Sequence, residues 1–172
     1  MSAFRRSFAA AVVLTASLAA FPVAQAVADP GDATYEVTFD VSWSAATHPV
    51  MFPSNAHFSG LVGGTHSPAV QFSTPGTLAS LGIKRMAQWG QQTTLAGEVQ
   101  AAIGAGTAGS VILGPAIATL PGSASLQFTA TPSHPLVTLV TMIAPSPDWF
   151  VGVVGLDLRQ GGEWVEEATA VL

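Results

Sequence analysis

A chain of 172 residues has room for one domain with a well-filled core, and 49% hydrophobic against 9% charged residues is an apolar balance. The formal charge is −5 and cysteine is absent, which excludes disulfides, thiol catalysis, thiolate metal sites and a lipidated cysteine anchor. Five basic residues cannot form a stripe that neutralises phosphates, so nucleic acid and anionic membrane are poor electrostatic partners and a cation is the better match.

The first 28 residues have the three regions of a secretory leader in order: Arg5 and Arg6, an apolar run from Phe8 to Ala20, and two Ala-x-Ala cleavage sites within Ala24 to Ala28. Residues 1–28 are therefore expected to be a signal peptide, and residues 29–172 the folded domain. The alternative, a retained membrane anchor, is opposed by the small-residue sites that follow the apolar run. Arg5-Arg6-Ser7-Phe8 also carries part of a twin-arginine export signal. Without the leader, Lys84, Arg85 and Arg159 face ten acidic residues, a net charge of −7.

Tyr35 to Trp43 alternates cleanly, with Tyr35, Val37, Phe39, Val41 and Trp43 on one face and Glu36, Thr38, Asp40 and Ser42 on the other, the pattern of a half-buried strand. His48-Pro49 and Phe52-Pro53 force extended or turn geometry and predict an ordered loop. His57 to Val62 reads as a short strand closed by a Gly63-Gly64 turn, and Val70 to Phe72 as another extended piece. Gly76 to Gly90 and Thr93 to Gly106 have helical character, with Thr94 as a cap and Leu95, Val99, Ala102 and Ile103 on one face. Ser110 to Leu113 and Ser125 to Thr131 then read as strands, separated by a Pro121-Gly122 turn. Leu136 to Ala144 and Phe150 to Leu158 suit strands covered on both faces, and Pro145 and Pro147 prevent either from running through the corner between them. Glu163 to Leu172 is the last candidate strand. Six or more short strands without βαβ alternation argue for one all-β, antiparallel β-sandwich with one or two short helices, no internal repeat and no second domain.

The run Met-Ile-Ala-Pro-Ser-Pro-Asp-Trp-Phe-Val-Gly from Met142 to Gly152 resembles the signature segment of the spondin N-terminal domain family. Upstream pieces match in the same order: Trp43-Ser44, His48-Pro49, Phe52-Pro53, His57-Phe58-Ser59, Gly63, His66, Ala79-Ser80-Leu81-Gly82, Gly90 and His134-Pro135. The resemblance spans about Tyr35 to Trp164. It implies a jelly-roll-like sandwich, a secreted, matrix-associated adhesion function, and a calcium ion near one end of the fold with Asp148 as a ligand. It further implies two aspartates in an Asp-Ala-Gly-Thr-Asp run after the last matched strand. No such run occurs in the 172 residues, so the expectation is a sandwich short of the family's last strand or hairpin.

From the residues alone, Asp148 has a blander role, because Asp after Pro commonly caps nearby backbone amides. A lone carboxylate cannot make a calcium site, which takes six to eight oxygens. Asp157, Glu163, Glu166 and Glu167 would have to converge with it, and acids on a final exposed strand are usually solvent-facing. His48, His57 and His66 recur every nine residues, but without the spacing that brings two onto one face, so loop-pinning hydrogen bonds fit them better than zinc. Ser146 between prolines reads as a structural corner, not a nucleophile, and no hydrolase elbow or phosphate loop is present. Trp43, Trp89, Trp149 and Trp164 read first as core, with Trp149 the one that would anchor a partner if exposed. The expectation is a secreted, non-enzymatic module, on the cell surface, outside the cell or in the periplasm, that binds an extracellular protein or a matrix or surface component with the help of calcium. The alternatives are a metal-dependent hydrolase of the cell envelope, which needs the histidines to converge, and a structural envelope protein without an ion.

Overall fold

The computed structural model describes residues 31–172 in full and the backbone of residues 10–16. The leader arginines, the Ala-x-Ala sites and Asp29 lie outside the described residues. The strands are β1 Ala10–Ala16, β2 Ala33–Val41, β3 His57–Phe58, β4 Val62–His66, β5 Ala108–Leu113, β6 Gly122–Ala130, β7 Leu136–Ala144, β8 Phe150–Asp157, β9 Arg159–Gln160, β10 Glu163–Trp164 and β11 Glu167–Val171. Two helices, α1 Leu81–Trp89 and α2 Gln92–Gly104, stand between β4 and β5. No described helix is long and apolar enough to cross a membrane.

All strand pairings are antiparallel. One sheet runs β11-β1-β2-β6; in the other, β7 is bordered by β8, β3 and β4, and β4 continues to β5. The alternation read in Tyr35 to Val41 decides which face of the first sheet is buried. Tyr35, Val37, Phe39 and Val41 point inward and share one core with Phe58, Ile112, Leu139 and Val153 of the second sheet. Phe39 meets Phe58 edge to face at 5.3 Å between ring centroids. The helices bury Ile83, Met86, Leu95 and Val99 against Val62, Val140 and Met142 on the opposite face of the second sheet. A layer of helices, a sheet and a further sheet results, with β4 and β7 enclosed from both sides.

That enclosure explains the chief departure from the sequence reading. Gly63-Gly64 is not a turn but the middle of β4. A Cβ on Gly63 would stand 1.8 Å from the Thr138 carbonyl oxygen, and one on Gly64 would stand 2.6 Å from Val99 Cγ1 of α2. The pair is glycine because two neighbours press on it, not because the chain reverses. Val70 to Phe72 is loop, although Phe72 is buried against the helices. Thr94 lies inside α2, whose cap residue is Gln91. The acid of α2 caps the other helix instead. Glu98 accepts from the Gly82 amide and the Ser80 hydroxyl, both at 2.6 Å, while Ser80 accepts from Ile83 N–H at 3.1 Å. β8 differs as well, since it borders β7 alone and exposes Phe150 and Val154.

The C-terminal segment is tied to the start of β2. The Tyr35 hydroxyl donates to the Val165 carbonyl at 2.8 Å, and Trp164 Nε1 donates to the Gly31 carbonyl at 2.8 Å. β1 lies between β2 and β11, although its residues belong to the stretch expected to be a leader and to stand apart from the fold.

Two predictions follow from this packing. Gly63→Ala sets a side chain against backbone that cannot yield, and should cost about 3 kcal/mol or more in urea unfolding. Tyr35 is fully buried, and desolvation raises its phenol pKa above 10.0. Because the fold favours the protonated phenol, its contribution is complete below pH 10 and is lost as pH climbs through the raised value. Tyr35 is the chain's single tyrosine. Tyrosinate absorbance in the folded protein should therefore rise only above about pH 10, together with a fall in Tm.

Candidate functional site

The corner between β7 and β8 takes its shape from what the prolines withhold. Pro145 and Pro147 offer no N–H, so the backbone here cannot ladder onward and must be held by a side chain. Ser146 holds it. Its hydroxyl donates to the Ile143 carbonyl at 2.6 Å and accepts from Trp149 N–H at 3.0 Å, and Ile143 N–H reaches the Trp149 carbonyl at 2.9 Å. The capping role anticipated for Asp148 thus belongs to Ser146, two residues earlier. Asp148 is exposed, and no hydrogen bond reaches its carboxylate among the described residues.

Beside the corner lies an open, apolar cavity of 480 Å³ whose walls include Trp43, His48, Met51, Phe58, Pro145 and Trp149. Its floor is fixed by an aromatic chain. Trp43 meets Phe52 at 5.2 Å and Phe58 at 6.3 Å, and Phe58 continues into the core through Phe39. The rim is exposed: Trp149 is 66% accessible and Met51 91%. Met51 has φ of 60°, the one described non-glycine residue in the left-handed region, a conformation that costs about 1–2 kcal/mol for an L-residue with a Cβ. The neighbouring loop is pinned locally. The Ser44 amide donates to Thr47 Oγ1 at 3.0 Å, Thr47 Oγ1 stands 2.9 Å from His48 Nδ1, and His57 Nδ1 lies 2.8 Å from the Asn55 carbonyl.

The other acids are not brought to the corner. Asp157 pairs in register with Leu136, at the opposite end of β7, and accepts from Arg159 N–H at 2.8 Å. β11 does approach the corner, but by its apolar end: Leu172 lines the cavity, while Glu167 stands at the strand's far end. The histidines are separately engaged. His66 is buried, its Nδ1 3.0 Å from the Ser67 carbonyl and its Nε2 2.8 Å from Thr138 Oγ1, so both ring nitrogens are used. His134 Nε2 lies 3.2 Å from the Gly106 carbonyl. Among the described residues no three His, Cys, Asp or Glu side chains are placed to share a metal ion.

Trp149 is exposed, the condition under which the sequence made it a partner anchor, and Trp89, at the end of α1 and outside this site, is exposed rather than core. Sequence patterning missed the strained Met51, since a methionine between proline-bearing turns reads as ordinary loop.

The family model described as Spondin_N matches residues 33–172. Similar proteins include Spondin-2 of Homo sapiens, 35% identical over 140 residues, covering 79% of this chain and 42% of that protein. Spondin-2 of Rattus norvegicus is 34% identical over 139 residues, covering 78% and 42%. Spondin-1 of Rattus norvegicus is 32% identical over 146 residues, covering 80% and 18%. The chain therefore spans less than half the length of these relatives.

If Ser146 rather than Asp148 holds the corner, their substitutions separate. Ser146→Ala leaves the Ile143 carbonyl and the Trp149 amide short of a partner and should cost about 1–2 kcal/mol in chemical denaturation. Asp148→Asn, without added metal, should change stability by less than about 0.5 kcal/mol.

Proposed function

The chain belongs to the spondin N-terminal domain family, and from that premise we propose that it is a secreted, non-enzymatic adhesion module whose binding surface is the loop end around the β7–β8 corner. The fold we assign is the jelly-roll-like sandwich of that family, supported by two antiparallel sheets that share one core. The observation that carries the functional reading is the exposed apolar rim. Trp149 and Met51 stand over a cavity floored by core aromatics, at a corner stiffened by two prolines and Ser146. A large aromatic held on a rigid turn loses little entropy on contact and supplies much apolar area, the character of a binding hot spot. The partner is an extracellular protein or a matrix or surface component. The separate engagement of the histidines speaks against a metal-dependent hydrolase.

Calcium is assigned to Asp148 on the same premise. Its carboxylate is exposed and uncommitted at the rigid corner, as a ligand needs. With no trio of acids among the described residues, the remaining ligands would be backbone carbonyls and water, oxygen donors that calcium accepts. One carboxylate places affinity in the weak extracellular range, with Kd on the order of 10⁻³ M. The ion's contribution would be to stiffen the loop end.

Two measurements check this reading separately. Binding to cell-derived matrix should fall at least about tenfold in Trp149→Ala while Tm is nearly unchanged; undiminished binding would move the partner surface elsewhere. Calcium at about 10 mM should stabilise the chain by about 1.4 kcal/mol, reversed by chelator and absent in Asp148→Asn. Equal Tm with and without calcium removes the ion and leaves the docking surface standing.

A further inference from the structure

We propose that the space between β2 and β11 is a strand-acceptor site for an extended segment of a partner polypeptide, apolar at alternate positions and basic at the position flanked by Glu36 and Glu167. Ala10–Ala16 fills that space in this structure, pairing with β2 from Ala10↔Val41 to Ala16↔Tyr35 and with β11 from Ala11↔Val171 to Thr15↔Glu167. These seven residues sit in the apolar run ahead of the Ala-x-Ala sites. Excision there removes the strand and exposes two ladders of backbone donors and acceptors at once. Such edges recruit another strand.

The alternative is that β2 and β11 close on each other, and three features oppose it. β1 is antiparallel to both, so β2 and β11 run parallel and would form the sheet's one parallel pair. Closure also needs β11 to move sideways by about one strand spacing, 4.8 Å. The bonds from Tyr35 Oη to the Val165 carbonyl and from Trp164 Nε1 to the Gly31 carbonyl hold the segment just before β11 at its present distance from β2. Closure in the present register would set Glu36, opposite Thr15 on one side, beside Glu167, opposite it on the other. Like charges directly opposite are unfavourable.

The same rows define the occupant. Phe39 and Ala170 flank the Val12 position and Val37 and Ala168 the Leu14 position, all on the buried face of their strands. A partner strand needs apolar residues at those positions. Asp40 and Val171 flank the Ala11 position, and Glu36 and Glu167 the Thr15 position, on the outer face. A lysine or arginine between the two glutamates meets a negative charge on each side. The Ala10 end of the slot abuts the corner cavity, whose walls include Val41 and Leu172, whereas the two glutamates flank its other end; the strand ladders make no use of the Trp149 rim.

The test uses the full chain carrying Val12→Pro and Val13→Pro. Adjacent amides in a strand face opposite neighbours, so this pair removes a donor from each ladder. The expected result is a Tm lower by at least about 5 °C, restored by an end-blocked peptide of the sequence of residues 10–16 added in trans. A peptide carrying Thr15→Lys should bind about fivefold tighter, and one carrying Thr15→Glu about fivefold weaker, with salt shrinking the difference. If the double variant does not fold alone, recovery of folded protein on refolding with the peptide is the readout, and no recovery overturns the proposal. Parent-like Tm with no peptide binding means β2 and β11 have closed, and also overturns it. Dimerisation of the variant without peptide uptake assigns the slot to a second copy instead. Equal affinity of the three peptides overturns the basic requirement.

Discussion

β7 is enclosed by a sheet on one face and helices on the other, and most of this molecule is arranged to tolerate that. A strand in such a position must satisfy every polar group without water. Its apolar members, Val137, Leu139, Val140 and Met142, fill the two cores. Its threonines are paired by design of their neighbours. Thr138 Oγ1 accepts from Gly155 N–H at 3.0 Å and stands 2.8 Å from His66 Nε2, while His66 Nδ1 lies 3.0 Å from the Ser67 carbonyl. Thr141 donates to the Ser59 carbonyl at 2.7 Å, and Ser59 Oγ accepts from Met142 N–H at 2.9 Å. Strands on both sides approach so closely that Gly63 and Gly152 have no room for a Cβ beside Thr138 and Leu139.

The enclosure reaches the corner end through the chain itself. β7 is held along its length, so the corner that follows Ala144 begins from a fixed point. Ser146 then closes the turn onto Ile143 and Trp149. The aromatic chain Phe39, Phe58, Trp43 and Phe52 does the same for the facing loop. The cavity between them is open in shape but lined by groups whose positions are set by the core.

What could be read from the residues follows what each signal depends on. β2 and β7 were legible because alternation and an unbroken apolar run report burial directly, and burial is what forms them. The corner was legible because proline acts locally. Gly63-Gly64 was misread because a glycine pair marks a turn when isolated and a close approach when packed, and only the neighbours Thr138 and Val99 tell which. Glu98 as the cap of a different helix, and Ser146 in place of Asp148, were invisible for the same reason: a hydrogen-bond partner is a fact of three-dimensional proximity. Trp149 reads as core by type, yet the corner turns it outward.

The acids are unevenly spread, and this bears on what each end can recognise. Glu36, Glu166 and Glu167 gather where β2 and β11 begin, whereas the corner end has Asp148 on the turn and Asp40 at the close of β2, among aromatic and aliphatic side chains. Attraction between exposed charges is weakened by salt, while apolar contact on a rigid aromatic is not. On the proposed reading, recognition at the corner would rest on shape and apolar area. Along the proposed slot between β2 and β11, main-chain hydrogen bonds would supply the attraction and the glutamates at its far end the selectivity. The two surfaces use different physics on one scaffold, and Tyr35, which packs in the core and holds Val165 in place, is the residue through which the second depends on the first sheet's burial.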